Sequence, residues 1–346
     1  MSIDKVFFAA AVAALCLGSG MARSQTQVYP VGPDLTKEQQ NRQLTQPLNN
    51  QPLWSEVRSG APQTTTVRGR ETDVLIQPQG QTWRTLRNSE ISVWGGWAIV
   101  VVLLGIAAFY WRKGPVEVHE PLTGRKIRRF TVWERTIHWS VAISFGVLAI
   151  SGLIILFGKN ILLPLIGYTL FSWLAITAKY AHNFFGPLFL ICLVLFIPTF
   201  IRYMVPKSHD IAWLAKLGGM FAEKEVPSGK FNAGQKLWFW GGAFVLGAIV
   251  ALSGLILDFP NFDQTRNTMQ TANVVHAIAA TLFMMAGLGH IYLGTIGMRG
   301  AYDAMRYGYV EETWAKEHHE YWYNDIKAGR IPADDDAAPS IVERAA

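Results

Sequence analysis

Cysteine is almost missing from this sequence. There are two in 346 residues, Cys16 and Cys192, and neither belongs to a CxxC pair. An iron–sulfur cluster, a CxxCH heme attachment and a zinc site all lack the ligands they need. Charge is scarce as well, at 16% of residues, where a soluble domain carries about a quarter. Half the residues are hydrophobic and 13 are Trp, and the apolar ones gather in long uncharged runs. The net charge of +6 does not point to nucleic acid, because no aromatic stripe alternates with basic residues. The Lys and Arg lie between apolar runs, where they orient helices in a bilayer.

The chain divides by composition. Residues 1–24 read as a signal peptide: Lys5 gives the positive start, Val6 to Leu17 the apolar core, and Ala22-Arg23-Ser24 the small-x-small cleavage site. That core is short of the roughly 20 residues a span needs. Residues 25–90 are rich in Pro, Gln, Asn, Thr and Arg. They can bury little core and read as a polar, extended extracytoplasmic region that wraps a partner.

Five apolar runs follow, each long enough to span: Ile91 to Trp111, Thr136 to Gly158, Tyr180 to Ile201, Leu237 to Leu257, and Asn267 to Met298. Asn160 to Ala178 also lacks formal charge over 19 residues, but it holds Pro164, Gly167 and several polar residues and reads as a surface-lying loop or short interfacial helix. Charge supports five spans. Arg112 to Arg135 holds seven Lys/Arg and Arg202 to Lys236 holds six, and five spans place both on one side, as the positive-inside rule asks. The mature N-terminus is then periplasmic. The 112–135 basic loop and the 299–346 tail are cytoplasmic, and the chain is a multi-pass protein of the bacterial inner membrane.

Four histidines lie toward the ends of these runs: His138, His182, His276 and His290. An imidazole in lipid is costly unless paired or ligated. His276 and His290 are 14 residues apart on one helix, which is 40° short of four turns at 100° per residue, so they share a face roughly 21 Å apart along the axis. Topology puts His182 with His276 near the outer surface and His138 with His290 near the inner one. Each pair brings one imidazole from each of two facing helices, which is what bis-histidine ligation of a b-type heme iron requires. Gly186, Ala279, Ala280, Gly287 and Gly294 lie near these histidines and leave room for a flat macrocycle, although small residues also serve plain helix packing.

From about Arg125 to Asp325 the chain resembles the gamma subunit of membrane-bound formate dehydrogenases, a diheme cytochrome b. The matching segments are Thr136-Ile137-His138-Trp139, His182-Asn183-Phe184-Phe185-Gly186, Gly229 to Lys236, the His276/His290 helix, and Trp314 to His319 with Trp322-Tyr323. The resemblance implies an all-α integral membrane protein: a four-helix diheme cytochrome b bundle over 136–298, with the 91–111 helix an extra N-terminal span. It implies two heme b groups and a quinone site on the cytoplasmic side lined by Asn232, Gly234 and Gln235 next to His290. The alternative is that Asn232 and Gln235 merely cap the next helix. It also implies partners, a catalytic formate dehydrogenase subunit and an iron–sulfur subunit that passes electrons to the outer heme, with a higher oligomer of the complex left open. Formate chemistry itself finds no site in this chain.

Two rivals stand beside this reading. One is the cytochrome b subunit of a nickel–iron hydrogenase or thiosulfate reductase, which shares the heme architecture but not the Asn-Ala-Gly-Gln-Lys segment. The other is a heme-free membrane anchor or transporter, for which internal repeats and midplane helix breaks are the signature; no repeat is evident. The remaining histidines have bland readings. His119 and His209 are solvated loop residues, and His318 and His319 lie in the tail with no third metal ligand at matching spacing. Arg135 pairs with a heme propionate or anchors its helix at the interface.

Overall fold

A computed structural model describes residues 79–219 and 226–331, together with residues 41, 55, 58 and 59. The expected signal peptide, most of the 25–90 region and Asp334-Asp335-Asp336 lie outside the described residues.

Among the described residues five helices are long and apolar enough to cross a membrane: α1 (Gln79–Lys113), α2 (Val132–Ile161), α3 (Leu163–Phe200), α5 (Ala233–Asp258) and α6 (Arg266–Gly294). Their outer faces carry large apolar side chains that water would not tolerate in such number, among them Val101, Ile143, Ile150, Val194 and Leu252. The chain is an all-α multi-pass membrane protein.

α1 starts twelve residues before the expected Ile91. The stretch after Gln79 is polar, but its serines are satisfied within the helix: Ser89 Oγ donates to the Thr85 carbonyl and Ser92 Oγ to the Arg87 carbonyl, across a wide π-helical turn. α1 packs on α6. At the crossing a Cβ on Gly95 would sit 3.3 Å from Thr281, and one on Gly96 would sit 3.2 Å from Phe157. Small residues allow this close approach.

Asn160 to Ala178 differs from expectation. α2 runs to Ile161, the chain reverses at Gly167 (φ +75°), and α3 then continues without a break to Phe200. Residues 168–179 are the first turns of the third helix rather than a loop. The apolar content of Leu170, Phe171, Trp173, Leu174 and Ile176 drives them into helix, and one glycine suffices to make the turn. From Gly167 to Phe200 the helix is about 50 Å long at 1.5 Å per residue, well beyond a bilayer core of about 30 Å. The third helix is therefore longer than a bilayer core requires. The count of five spans is unchanged.

Three of the helix starts near the site carry side-chain caps. Thr131 and Glu134 cap α2 reciprocally, Asn232 and Gln235 cap α5, and Thr265 accepts from the Thr268 N–H at the start of α6. α2 packs on α3, α5 on α6, and α3 on α5, but neither α2 nor α3 packs closely against α6. Between them the centre of the bundle is filled by Phe189, Leu193, Val250, Ala279 and Phe283, with Phe145 and Trp238 packed against these.

Residues 299–331 of the region expected as a polar tail belong to a folded layer at one end of the bundle. β1 (Lys126–Arg128) pairs antiparallel with β2 (Tyr309–Glu311), tying the basic loop to the C-terminal segment. α4 (Ser208–Ala215), α7 (Ala301–Tyr307), α8 (Glu312–His318) and α9 (Glu320–Lys327) complete it. Its core holds Phe130, Phe200, Phe231, Val310, Trp314 and Trp322. Arg125 grips Glu312 with Nε and Nη2 at 2.6 and 2.7 Å, and Glu317 accepts the His119 and Glu120 N–H groups. These partners are almost 200 residues apart in sequence, so no local pattern announces them. His318 and His319 are buried here rather than solvated, and His209 packs on Tyr321 at 4.9 Å. His119 is exposed and pairs with Glu317.

Candidate heme and quinone sites

The four histidines form the two pairs expected from topology. The His182 and His276 rings have centroids 6.1 Å apart, and His138 and His290 are 6.2 Å apart. Two metal–imidazole bonds of about 2 Å, with roughly 1.1 Å from each bonding nitrogen to its ring centroid, would separate axial imidazoles by roughly 6 Å. Both pairs meet that spacing across helices that stand apart. Two further observations fit a bound macrocycle. The His138 Nδ1 is buried with no hydrogen-bond partner among the described residues. Glycines also face the rings: a Cβ on Gly152 would lie 3.2 Å from His182 Cε1, and one on Gly254 would lie 3.2 Å from His276 Cε1. The donor set of neutral imidazoles suits heme iron.

These two glycines escaped the sequence reading, and so did their neighbours. Ser151 Oγ lies 2.9 Å from His182 Nδ1, and Ser253 Oγ lies 3.1 Å from His276 Nδ1. The signal was present as a short repeat, Ile150-Ser151-Gly152-Leu153-Ile154 echoed by Leu252-Ser253-Gly254-Leu255-Ile256. The chain therefore does carry one short internal repeat, five residues long, where none was expected. Each copy lies on the first helix of a hairpin, facing the histidine on the second.

Between the two levels stands an aromatic stack. Phe283, seven residues from both His276 and His290, meets Phe145 at 4.9 Å and Trp238 at 5.6 Å, and Trp238 lies parallel to His290 at 5.0 Å and 12°. Trp238 belongs to a π-helical stretch, Trp238–Leu246, of a kind found at functional sites. It lies flat along its own helix only because Gly242 has no side chain: a Cβ there would overlap the indole. The other glycines singled out from sequence behave differently from one another. Gly186 and Gly294 face open space, while a Cβ on Gly287 would lie 3.0 Å from the Phe145 ring. Ala279 is buried in the bundle core, and Ala280 packs against it.

Asn232, Gly234 and Gln235 sit where α5 begins, in the layer beyond the His138/His290 level. Both amide side chains act as caps: Asn232 Oδ1 accepts from the Gln235 N–H at 2.9 Å, and Gln235 Oε1 accepts from the Asn232 N–H at 3.0 Å. The oxygens are thereby committed, and the amide –NH2 groups remain as donors. Trp213 of α4 comes so near Gly234 that a Cβ would lie 2.9 Å from its ring. A buried ion pair secures the two helices, Lys236 Nζ to Asp210 Oδ2 at 2.7 Å. Burial works to raise the Asp210 carboxyl. Hydrogen bonds from Lys236 and from the Lys207 N–H outweigh it and hold the carboxyl below its ordinary value. Arg135 donates to the Arg306 carbonyl at 2.8 Å, which ties α2 to the folded layer.

The family described as prokaryotic cytochrome b561 matches residues 129–308, which contain all four histidines. The formate dehydrogenase cytochrome b556(fdo) subunit of Escherichia coli K12 is 31% identical over 208 residues, covering 58% of this chain and 93% of that protein. The nitrate-inducible formate dehydrogenase cytochrome b556(Fdn) subunit of the same organism is 28% identical over 205 residues, 56% of this chain and 88% of that protein. The formate dehydrogenase cytochrome b556 subunit of Haemophilus influenzae is 23% identical over 220 residues, with 60% and 87% covered. This chain belongs to the prokaryotic cytochrome b561 family of membrane electron-transfer proteins and, within it, resembles the cytochrome b subunits of formate dehydrogenases.

Proposed function

We propose that this chain is the diheme electron-transfer subunit of a membrane-bound formate dehydrogenase and delivers electrons to quinone at the end of the bundle that carries the folded layer. The observation that carries this is the pair of imidazole pairs, 6.1 and 6.2 Å between centroids, stacked along one helix. His182 and His276 hold one heme b, and His138 and His290 hold the other. The hemes supply reversible one-electron transfer between a one-electron donor and the two-electron quinone couple. The chain's residues position them, keep water out with the Phe145–Phe283–Trp238 stack, and span the lipid.

The relatives' names support a catalytic formate dehydrogenase subunit as partner. An iron–sulfur subunit docks at the periplasmic end, near His182 and His276, and the N-terminus lies on that side. The seven basic residues between Arg112 and Arg135 support a cytoplasmic position for the folded layer. Quinone sits against the start of α5 beside His290. The Asn232 and Gln235 amide –NH2 groups donate to its carbonyl oxygens, and the layer outside the lipid supplies protons.

The test uses the complex in membranes. Formate reduces both hemes, and added quinone reoxidises them. Asn232→Asp and Gln235→Glu keep the capping oxygens and remove the amide donors. They leave heme reduction by formate intact and slow reoxidation by quinone about tenfold or more. Unchanged reoxidation in both variants removes these residues from the quinone site. Hemes that formate does not reduce remove the dehydrogenase assignment.

A further inference from the structure

The two histidine pairs differ in what their second ring nitrogens meet. In the His182/His276 pair both Nδ1 atoms are hydrogen-bonded in the same way. Ser151 Oγ donates its single proton to the Val147 carbonyl at 2.6 Å, and Ser253 Oγ donates to the Ile249 carbonyl at 2.5 Å. Each hydroxyl is thus left to accept from the histidine. His276 Nδ1 also meets the Val250 carbonyl at 3.0 Å, and a carbonyl only accepts. Nδ1 must therefore carry the proton, leaving the Nε2 lone pair for the iron. In the other pair His138 Nδ1 is buried with no partner, and no hydrogen bond reaches the His290 ring among the described residues; its face lies on Trp238.

We propose that the Ser151–His182 and Ser253–His276 hydrogen bonds set the order of the two heme potentials, making the heme held by His182 and His276 the lower. An Nδ1–H that donates to oxygen makes the imidazole a stronger electron donor at Nε2. Stronger donation favours ferric over ferrous iron, and second-shell hydrogen bonding is one of the protein's levers on heme potential. The pair without such bonds donates less and holds the higher-potential heme. Arg135, three residues before His138, adds a positive charge at that end, which acts in the same sense. An electron arriving at the serine-supported pair then runs downhill toward the quinone end. Ser151 and Ser253 are positioning residues: they act through the histidines and do not touch the iron. This inference rests on the diheme reading above.

The experiment is an equilibrium redox titration of the purified protein, followed by heme absorbance and low-temperature electron paramagnetic resonance. His182→Ala and His138→Ala proteins, each retaining one heme, assign the two components. If either histidine variant keeps both hemes, the diheme reading fails and the inference goes with it. With two hemes assigned, the component lost in His182→Ala has the lower potential in the unsubstituted protein. Ser151→Ala and Ser253→Ala each favour reduction of that component by up to about tenfold, a rise of about 59 mV for a one-electron couple, and alter its resonance signal, while the other component stays put. Ser151→Thr and Ser253→Thr keep the hydroxyl and restore the original value. Should the alanine variants lose heme, the order of potentials in the unsubstituted protein decides. A higher potential at the serine-supported pair, or alanine variants that retain two hemes with neither potential moved, overturns the inference.

Discussion

A single methyl group placed at Gly152 probes the His182/His276 site directly. Its Cβ would stand 3.2 Å from His182 Cε1 and 3.7 Å from Nδ1, where carbon atoms pack comfortably at about 3.5–4.0 Å. The shortfall is roughly 0.3–0.8 Å. Metal–ligand distances tolerate about 0.2 Å, so Gly152→Ala displaces the ring beyond what an unstrained bond accepts. The protein keeps its heme with an altered spectrum. Gly152→Val extends the intrusion by another carbon–carbon bond, about 1.5 Å, directly over the ring, and expels the ligand. Pyridine-hemochrome quantitation then gives one heme b per chain, while the His138/His290 heme survives as proof of folding. Gly254→Val does the same from the opposite hairpin. Gly105→Ala on α1, which meets nothing within 4 Å, is the control. Two hemes with native spectra in both valine variants would refute the placement of His182 and His276 as ligands.

Other predictions concern the folded layer. Burial, and then the nearby Arg129 charge, hold His319 well below its ordinary value, so it is neutral in the folded state. The unfolded state binds a proton below about pH 6.5, so stability is full above that pH and is lost as pH falls through it. Amide protection factors across 310–325, corrected for the intrinsic exchange rate at each pH, should therefore fall from about pH 6.5 downward, and His319→Gln should flatten the dependence. Gly308 has φ +92°, and a Cβ there would lie 2.8 Å from the Phe130 carbonyl. Gly308→Ala should cost the layer at least about 1–2 kcal/mol, read by thermal unfolding of the detergent-solubilised protein. Arg129 is buried among Phe130, Phe231, Trp314 and Trp322, its Nη2 donates to the Lys230 carbonyl, and its Nη1 has no hydrogen-bond partner among the described residues. Arg129→Met removes the cost of burying that charge and should leave the thermal midpoint equal or higher; a fall of several degrees would show the cation–π contacts dominate.

The histidine pairing was legible in the sequence because it needed only parity and periodicity. Five spans place residues 138 and 290 at one end and 182 and 276 at the other, and fourteen residues of helix return to nearly the same face. The serines and glycines behind those rings were not legible as ligand support, since Ser151 and Gly152 look like ordinary packing residues until a facing histidine is placed beside them. Their echo at Ser253 and Gly254 was the available clue. The helical identity of 168–179 was masked by Pro164 and Gly167, which shape the turn at 162–167 and not the residues after it. The folded layer was hidden for a different reason. Arg125 with Glu312, and His119 with Glu317, join segments nearly 200 residues apart, so composition shows only a basic loop and a polar tail. Asn232 and Gln235 were read both as caps and as quinone donors. The cap uses their oxygens, and the donor role now rests on their nitrogens.

The central claim is that four histidines hold two b hemes, and heme stoichiometry in histidine variants tests it most directly. Pyridine-hemochrome and reduced-minus-oxidised spectra of the purified chain should give two heme b per chain. His182→Ala and His276→Ala should abolish the same spectral component, and His138→Ala and His290→Ala the other. Protein made with ample heme that binds none, or variants that lose heme in any other pairing, would contradict the account.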